Sequence, residues 1–189
     1  MKHKSIFTIF AALTMVLGFA MTGLGQQNDN AVIAANATVV GAVVVDSVQS
    51  LQFGNVTPGN TKTISTTGTV AVGFAGGTTE TEGKFSVTKG ANSQVTLTFA
   101  LPSVLTKSGG ITMPINFSDY GGNKCGAIDA TTLYPFTPSA APLVISNAAF
   151  AAAFAAASFI VHLGGTVVPT NTQAAGAYTA NITLTATYN

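Results

Sequence analysis

Tyr178-Thr179-Ala180-Asn181-Ile182-Thr183-Leu184-Thr185-Ala186-Thr187-Tyr188 alternates without a break, with Tyr, Ala, Ile and Leu at the even positions and Thr or Asn at the odd ones. Successive side chains of a strand point to opposite faces, so a period of two buries one face and leaves a Thr/Asn ladder on the other. Tyr178, Ile182, Leu184 and Tyr188 are expected in the core. Gly176 is expected in the turn that opens the strand, where positive φ is open to glycine.

The same period recurs upstream. Val95, Leu97, Phe99 and Leu101 alternate with Thr96, Thr98 and Ala100, and Ile111, Met113, Ile115 and Phe117 form another set. Shorter runs surround Leu51 to Val56, Thr63 to Phe74, Phe85 with Val87, and Phe159 to Val168. Thr57-Pro58-Gly59-Asn60, Lys89-Gly90-Ala91-Asn92, Gly109-Gly110 and Pro169-Thr170-Asn171 supply turns between them. About eight strands at this spacing predict an all-β, immunoglobulin-like, two-sheet antiparallel sandwich. Tyr120 to Pro142 has no clean period and is expected as a long loop. Asn147 to Ala157 holds eight alanines, with Phe150 and Phe154 four apart. A short helix is expected over 147–157, capped by Ser146, with both rings on one face.

Charge is scarce. Only 7% of the 189 residues are Asp, Glu, Lys or Arg, against about 25% in ordinary soluble domains. Arg is absent, and no Lys stripe is available to neutralise phosphates, which excludes a nucleic-acid binder. Cys125 is the only cysteine, so no intramolecular disulfide can form.

Residues 1–25 read as a cleaved signal peptide. Met1-Lys2-His3-Lys4 is basic, Ile6 to Ala20 is apolar, and Gly23 and Gly25 stand before a cut that would expose Gln26. Residues 26–189 then form a single sandwich domain outside the inner membrane, secreted, periplasmic or on a bacterial cell surface, with no stable membrane anchor. Its first strand is expected at Ala31 to Val45, an apolar run with no charged residue between Asp29 and Asp46. Lys and Pro, which protect strand edges, are missing from it. Val39, Val40, Val43 and Val45 are the candidate residues of a strand that completes a neighbour's sheet.

No set of groups converges on catalysis, a metal or a cofactor. His162 is expected as a sheet histidine and Cys125 as a bystander thiol in a loop, without a His or Asn partner near it in sequence. Asp119 and Asp129 lack the repeated spacing of a calcium loop. Glu80 and Glu82 are expected on a solvated hairpin edge. Tyr120 and Tyr134 are the only aromatic candidates for stacking on a carbohydrate.

Leu51-Gln52-Phe53-Gly54-Asn55-Val56-Thr57-Pro58-Gly59, Lys84-Phe85-Ser86-Val87-Thr88 and Val95-Thr96-Leu97-Thr98-Phe99 form a recognisable set. Gly109-Gly110-Ile111-Thr112-Met113 and Gln173-Ala174-Ala175-Gly176-Ala177-Tyr178-Thr179 with Ile182-Thr183-Leu184-Thr185 and Tyr188-Asn189 complete it. The set, over about residues 34 to 189, resembles the domain of unknown function 4402 family of secreted bacterial proteins. The resemblance implies an immunoglobulin-like sandwich in the style of fimbrial and spore-coat-U-type subunits, without catalytic residues. The C-terminus is also similar to that of chaperone–usher pilins in the places of Gly176 and Tyr188. The expectation is a non-enzymatic structural or adhesive surface subunit that associates with itself or with related subunits, served by a periplasmic chaperone and an outer-membrane usher. The alternative is a monomeric carbohydrate-type binding domain at the surface or in the periplasm.

The export reading predicts that protein recovered from outside the inner membrane has the intact mass of residues 26–189. A mass that retains Met1 to Gly25 would contradict it.

Overall fold

Most alternating runs form strands, though the run that opens at Tyr178 becomes strand only at Thr183. The computed structural model describes residues 41–73 and 79–189, together with residues 34, 36, 37 and 39. The chain divides into the units Met1–Thr38 and Val39–Asn189, and every element below belongs to the second. The expected signal peptide, and Val40 among the expected assembly residues, lie outside the described residues.

Among the described residues there are thirteen strands: β1 Val44–Gln49, β2 Lys62–Ile64, β3 Val70–Val72, β4 Gly83–Thr88, β5 Val95–Ala100, β6 Val104–Thr106, β7 Thr112–Asn116, β8 Gly126–Asp129, β9 Leu133–Phe136, β10 Leu143–Ile145, β11 Ser158–Leu163, β12 Gly165–Val167 and β13 Thr183–Tyr188. A five-residue helix, α1, spans Ala151–Ala155. All pairing is antiparallel. The sheets run β1-β4-β11-β8-β9, β10-β5-β13 and β3-β2-β12-β7-β6, giving an all-β sandwich.

The expected count of eight is too low because several runs that read as one strand are broken. Phe159 to Val168 divides at Gly164 into β11 and β12, which belong to different sheets. Gly164 donates to Cys125 O at 2.7 Å, and a Cβ there would collide with the backbone oxygen of Ile64. Thr63 to Phe74 folds back through a turn at Ser65–Thr69 into the β2–β3 pair, with Ser65 N–H bonded to Thr69 O. Phe74 itself lies outside the described residues. The stretch expected as a loop, Tyr120 to Pro142, contains the β8–β9 hairpin, whose ladder joins Gly126 to Phe136 and Asp129 to Leu133.

Two apolar clusters fill the interior. Val87, Val95, Leu97, Phe99, Ile128, Ile145, Phe159, Val161, Leu163 and Leu184 build the first. Phe53, Ile64, Met113, Ile115, Phe117 and Val167 build the second, and Leu101 and Ile182 touch both. In β13, Leu184 is buried and Ala186 and Tyr188 are half-buried, while Thr183, Thr185 and Thr187 are exposed. Ahead of it, Tyr178 and Ile182 are half-buried and Gly176 is exposed.

The helix is shorter than 147–157. Phe150, not Ser146, holds its N-cap position, with no side-chain cap, and Phe150 N–H bonds to Ser146 O at 2.8 Å. Phe150 is buried and meets Tyr134 edge-on, whereas Phe154 is half-buried beneath the Lys89 ammonium. Lys89 ends the helix: its Nζ donates to Phe154 O at 2.7 Å and Ala156 O at 2.8 Å, and burial pushes its pKa down. These bonds occupy carbonyls that the end of a helix leaves free.

Leu184→Ala removes a buried side chain and is expected to cost about 2–5 kcal/mol in denaturant unfolding, whereas Thr183→Ala, on the exposed face, costs under about 0.5. Equal small losses would mean that the strand does not pack as described.

Candidate functional site

Each sheet edge is a row of main-chain donors and acceptors that invites another strand, and folds blunt it with short strands, charge, proline or a bulge. Strands β3, β6 and β10 are three residues long. Strand β9 carries Pro135. Strand β1 carries Asp46 and a register shift between Ser47 and Gln49. The exception is β13, six residues with no charge, no proline and an unbroken register against β5.

Asn189 N–H donates to Gln94 O, the bonded pair that follows Tyr188↔Val95 in register. Bonded and non-bonded pairs alternate in an antiparallel ladder, so the N–H and C=O groups of Leu184, Ala186 and Tyr188 point away from β5. Among the described residues no strand pairs with that edge.

A groove of about 880 Å³ opens ahead of it. One wall is the chain after β1, Ser50 to Val56, and the other is the chain before β13, Gln173 to Ile182. Leu105, Met113 and Ile115 lie between them, and Phe53 and Tyr178 are the aromatic residues of the lining.

Both walls are tied down. Gln52 exchanges two backbone bonds with Thr81, at 2.8 and 3.0 Å, and Lys62 Nζ bonds Asn55 O at 2.9 Å. Opposite, Tyr178 Oη donates to Ala174 O at 2.7 Å and accepts Gln173 Nε2 at 2.6 Å. Gly176 has φ +141, and a Cβ there would meet Lys107 Cε at 2.6 Å, so the glycine lets Lys107 reach Ala175 O. At one end Gly59 N–H bonds Thr170 O at 3.0 Å. At the far end of β13, away from the groove lining, Tyr188 Oη donates to Gly41 O at 2.6 Å and accepts Gly90 N–H at 2.8 Å.

The expected assembly residues divide here. Val43 and Val45 are half-buried against the first cluster, and Val45 is paired with Val87 inside β1. Val39 is 94% exposed. The strand expected from Ala31 to Val45 begins at Val44, because β4 ends at Thr88, the ladder partner of Val44.

Most of the remaining polar candidates are engaged within the fold, while Asp129 is exposed. Glu80 and Glu82 are enclosed rather than solvated: Lys62 Nζ lies 2.7 Å from Glu80, and Lys84 Nζ 2.7 Å from Glu82. His162 Nδ1 is 3.7 Å from Glu82, and neither ring nitrogen has a hydrogen-bond partner. Cys125 is fully buried, its Sγ bonded to Ser118 O, and burial pushes the thiol up to about 11, away from a reactive thiolate. Asp119 holds Lys124 and Thr137, and Tyr134 packs on Phe150. Sequence reading missed the two glutamate pairs because nothing in Thr79-Glu80-Thr81-Glu82 reveals that Lys62 of another strand reaches across to it.

These pairs set the acid response. The Lys62 hydrogen bond holds the Glu80 carboxyl below its usual range. Burial pushes Glu82 up, but the Lys84 hydrogen bond and its own backbone bring it below. The Lys124 hydrogen bond lowers Asp119. A lowered folded value stabilises above the unfolded value and is lost as pH falls through the folded one. The urea midpoint is therefore expected to hold from neutrality to about pH 5, then fall through the carboxylate range. Glu80→Gln should make that fall shallower, and an unchanged slope would show that the Lys62 pair contributes nothing.

Among the described residues no helix is long and apolar enough to cross a membrane. No curated protein and no solved structure shows significant similarity to the chain. Residues 43–188 match the model of a protein family, from the last residue before β1 to the end of β13, and the chain thus belongs to the family described as domain of unknown function (DUF4402).

Proposed function

We propose that this chain is a non-enzymatic structural subunit of an extracellular, pilus-like or coat assembly, exported and built up by addition of a strand from one subunit to the β13 edge of the next. The observation that carries the reading is the unguarded edge of β13 beside an open groove. Strand addition draws affinity from main-chain bonds and specificity from alternate side chains. A protein whose described lysines are all used internally suits it, because such docking needs no surface charge. The partners are further copies or related surface subunits. A periplasmic chaperone would cover the edge before assembly, and an outer-membrane usher would pass the subunit on.

A second reading, a monomeric carbohydrate-binding domain, has the groove with Phe53 and Tyr178 in its favour. Both rings also belong to the second core cluster, so their packing accounts for them without a ligand.

Light scattering behind size exclusion, on protein starting at Gln26, separates the two. Strand addition predicts oligomers whose size grows with concentration and chains visible by electron microscopy. A monomer at every concentration that binds oligosaccharides would favour the second reading.

A further inference from the structure

Resting on that reading, the geometry points to a narrower exchanged segment than the whole apolar run: we infer that residues 31–40 of a second copy fill the groove and the β13 edge, with Ile33, Ala35, Ala37 and Val39 facing inward. Gly41 marks the boundary between this arm and the domain.

The boundary follows from what β1 does at home. Val43 and Val45 pack on the first core cluster, and β1 is bonded along its length to β4. Donating them would dismantle a paired strand. Upstream the situation reverses: Tyr188 Oη fastens Gly41 O, and Val39, two residues earlier, is 94% exposed. A valine in solvent immediately before the last tie to the domain is apolar surface without a partner.

The inward face follows from parity. At the entry to β1 the odd-numbered Val43 and Val45 face the core and Val44 is exposed. Carried upstream, the odd positions are Gly41, Val39, Ala37, Ala35, Ile33 and Ala31, all apolar. The arm's two polar residues, Asn36 and Thr38, are both even. The even face carries both polar residues beside Val32, Ala34 and Val40, so only the odd face is free of polar groups. Length agrees: ten extended residues reach roughly 33 Å, and the nine from Tyr178 to Ala186 span roughly 30 Å. The occupant is a second copy, whose arm enters while the Tyr188 tie to Gly41 O stays in place.

The test uses the full chain from Gln26 with single aspartates at four arm positions and one at Val43, just before β1. Ala35→Asp and Ala37→Asp would place a carboxylate against the apolar lining and are expected to weaken association by at least about tenfold. Asn36→Asp and Thr38→Asp, on the outer face, should stay within about twofold. None of the four should shift the melting temperature of the dilute monomer, whereas Val43→Asp should lower it. Association equally sensitive at odd and even positions, or insensitive to all four, would overturn the assignment while leaving assembly itself standing. A monomer destabilised by Ala35→Asp as much as by Val43→Asp would show the arm seated in its own chain and overturn it too. Wild-type protein that never associates would remove both the assignment and the assembly reading.

Discussion

Strand β13 is bonded to β5 on one edge, and among the described residues its other edge pairs with no strand. Its even residues close the first core, so the strand cannot be dispensed with. Among the described residues no strand receives the three residues' worth of main-chain donors and acceptors on its far edge. In water those groups are solvated, but any apolar strand of suitable length gains by replacing the water. Every other edge of the described sheets is short, charged, bulged or broken by proline.

Scarcity of charge works in the same direction. Each lysine of the described residues has an internal partner: Lys62 and Lys84 take glutamates, Lys124 takes Asp119, and Lys89 and Lys107 take backbone carbonyls. The lysines therefore fasten loops and a helix end. Lys62 holds the Asn55 wall of the groove and Lys107 the Ala175 wall. Polar character on the outer sheet faces falls to Thr, as in Thr185 opposite Thr98 and Thr187 opposite Thr96. Asp46 and Asp129 remain exposed outside these pairs.

The sandwich class and the faces of its longest strands were legible because a period of two survives wherever one face is buried, as in Val95 to Phe99 and Ile182 to Tyr188. What the sequence hid were breaks and long-range pairs. Gly164 lies inside an apolar run and changes sheet only because the backbone of Ile64 passes against it. The β8–β9 hairpin was masked by Pro135 on an edge strand and by Gly126, which packs on the Phe136 ring. The alanine run promised a longer helix than forms, since propensity yields to Lys89 drawing the chain out at Ala156 and to β11 starting at Ser158. The apolar run before Asp46 promised one strand, and only its last two residues entered β1. The groove was the least legible feature. Its walls, Ser50 to Val56 and Gln173 to Ile182, are far apart in sequence and meet through the packing of both cores.

Amide hydrogen exchange at Ile182, Leu184 and Ala186, compared between dilute monomer and assembled protein, tests the central claim most directly. An open edge predicts exchange at these three amides in the monomer at rates far above those of Thr183 and Thr185, whose groups face β5, and protection of all five in the assembled state. Protection of Ile182, Leu184 and Ala186 in the dilute monomer to the level of Thr183 and Thr185 would mean that the edge is already filled, and would contradict the account.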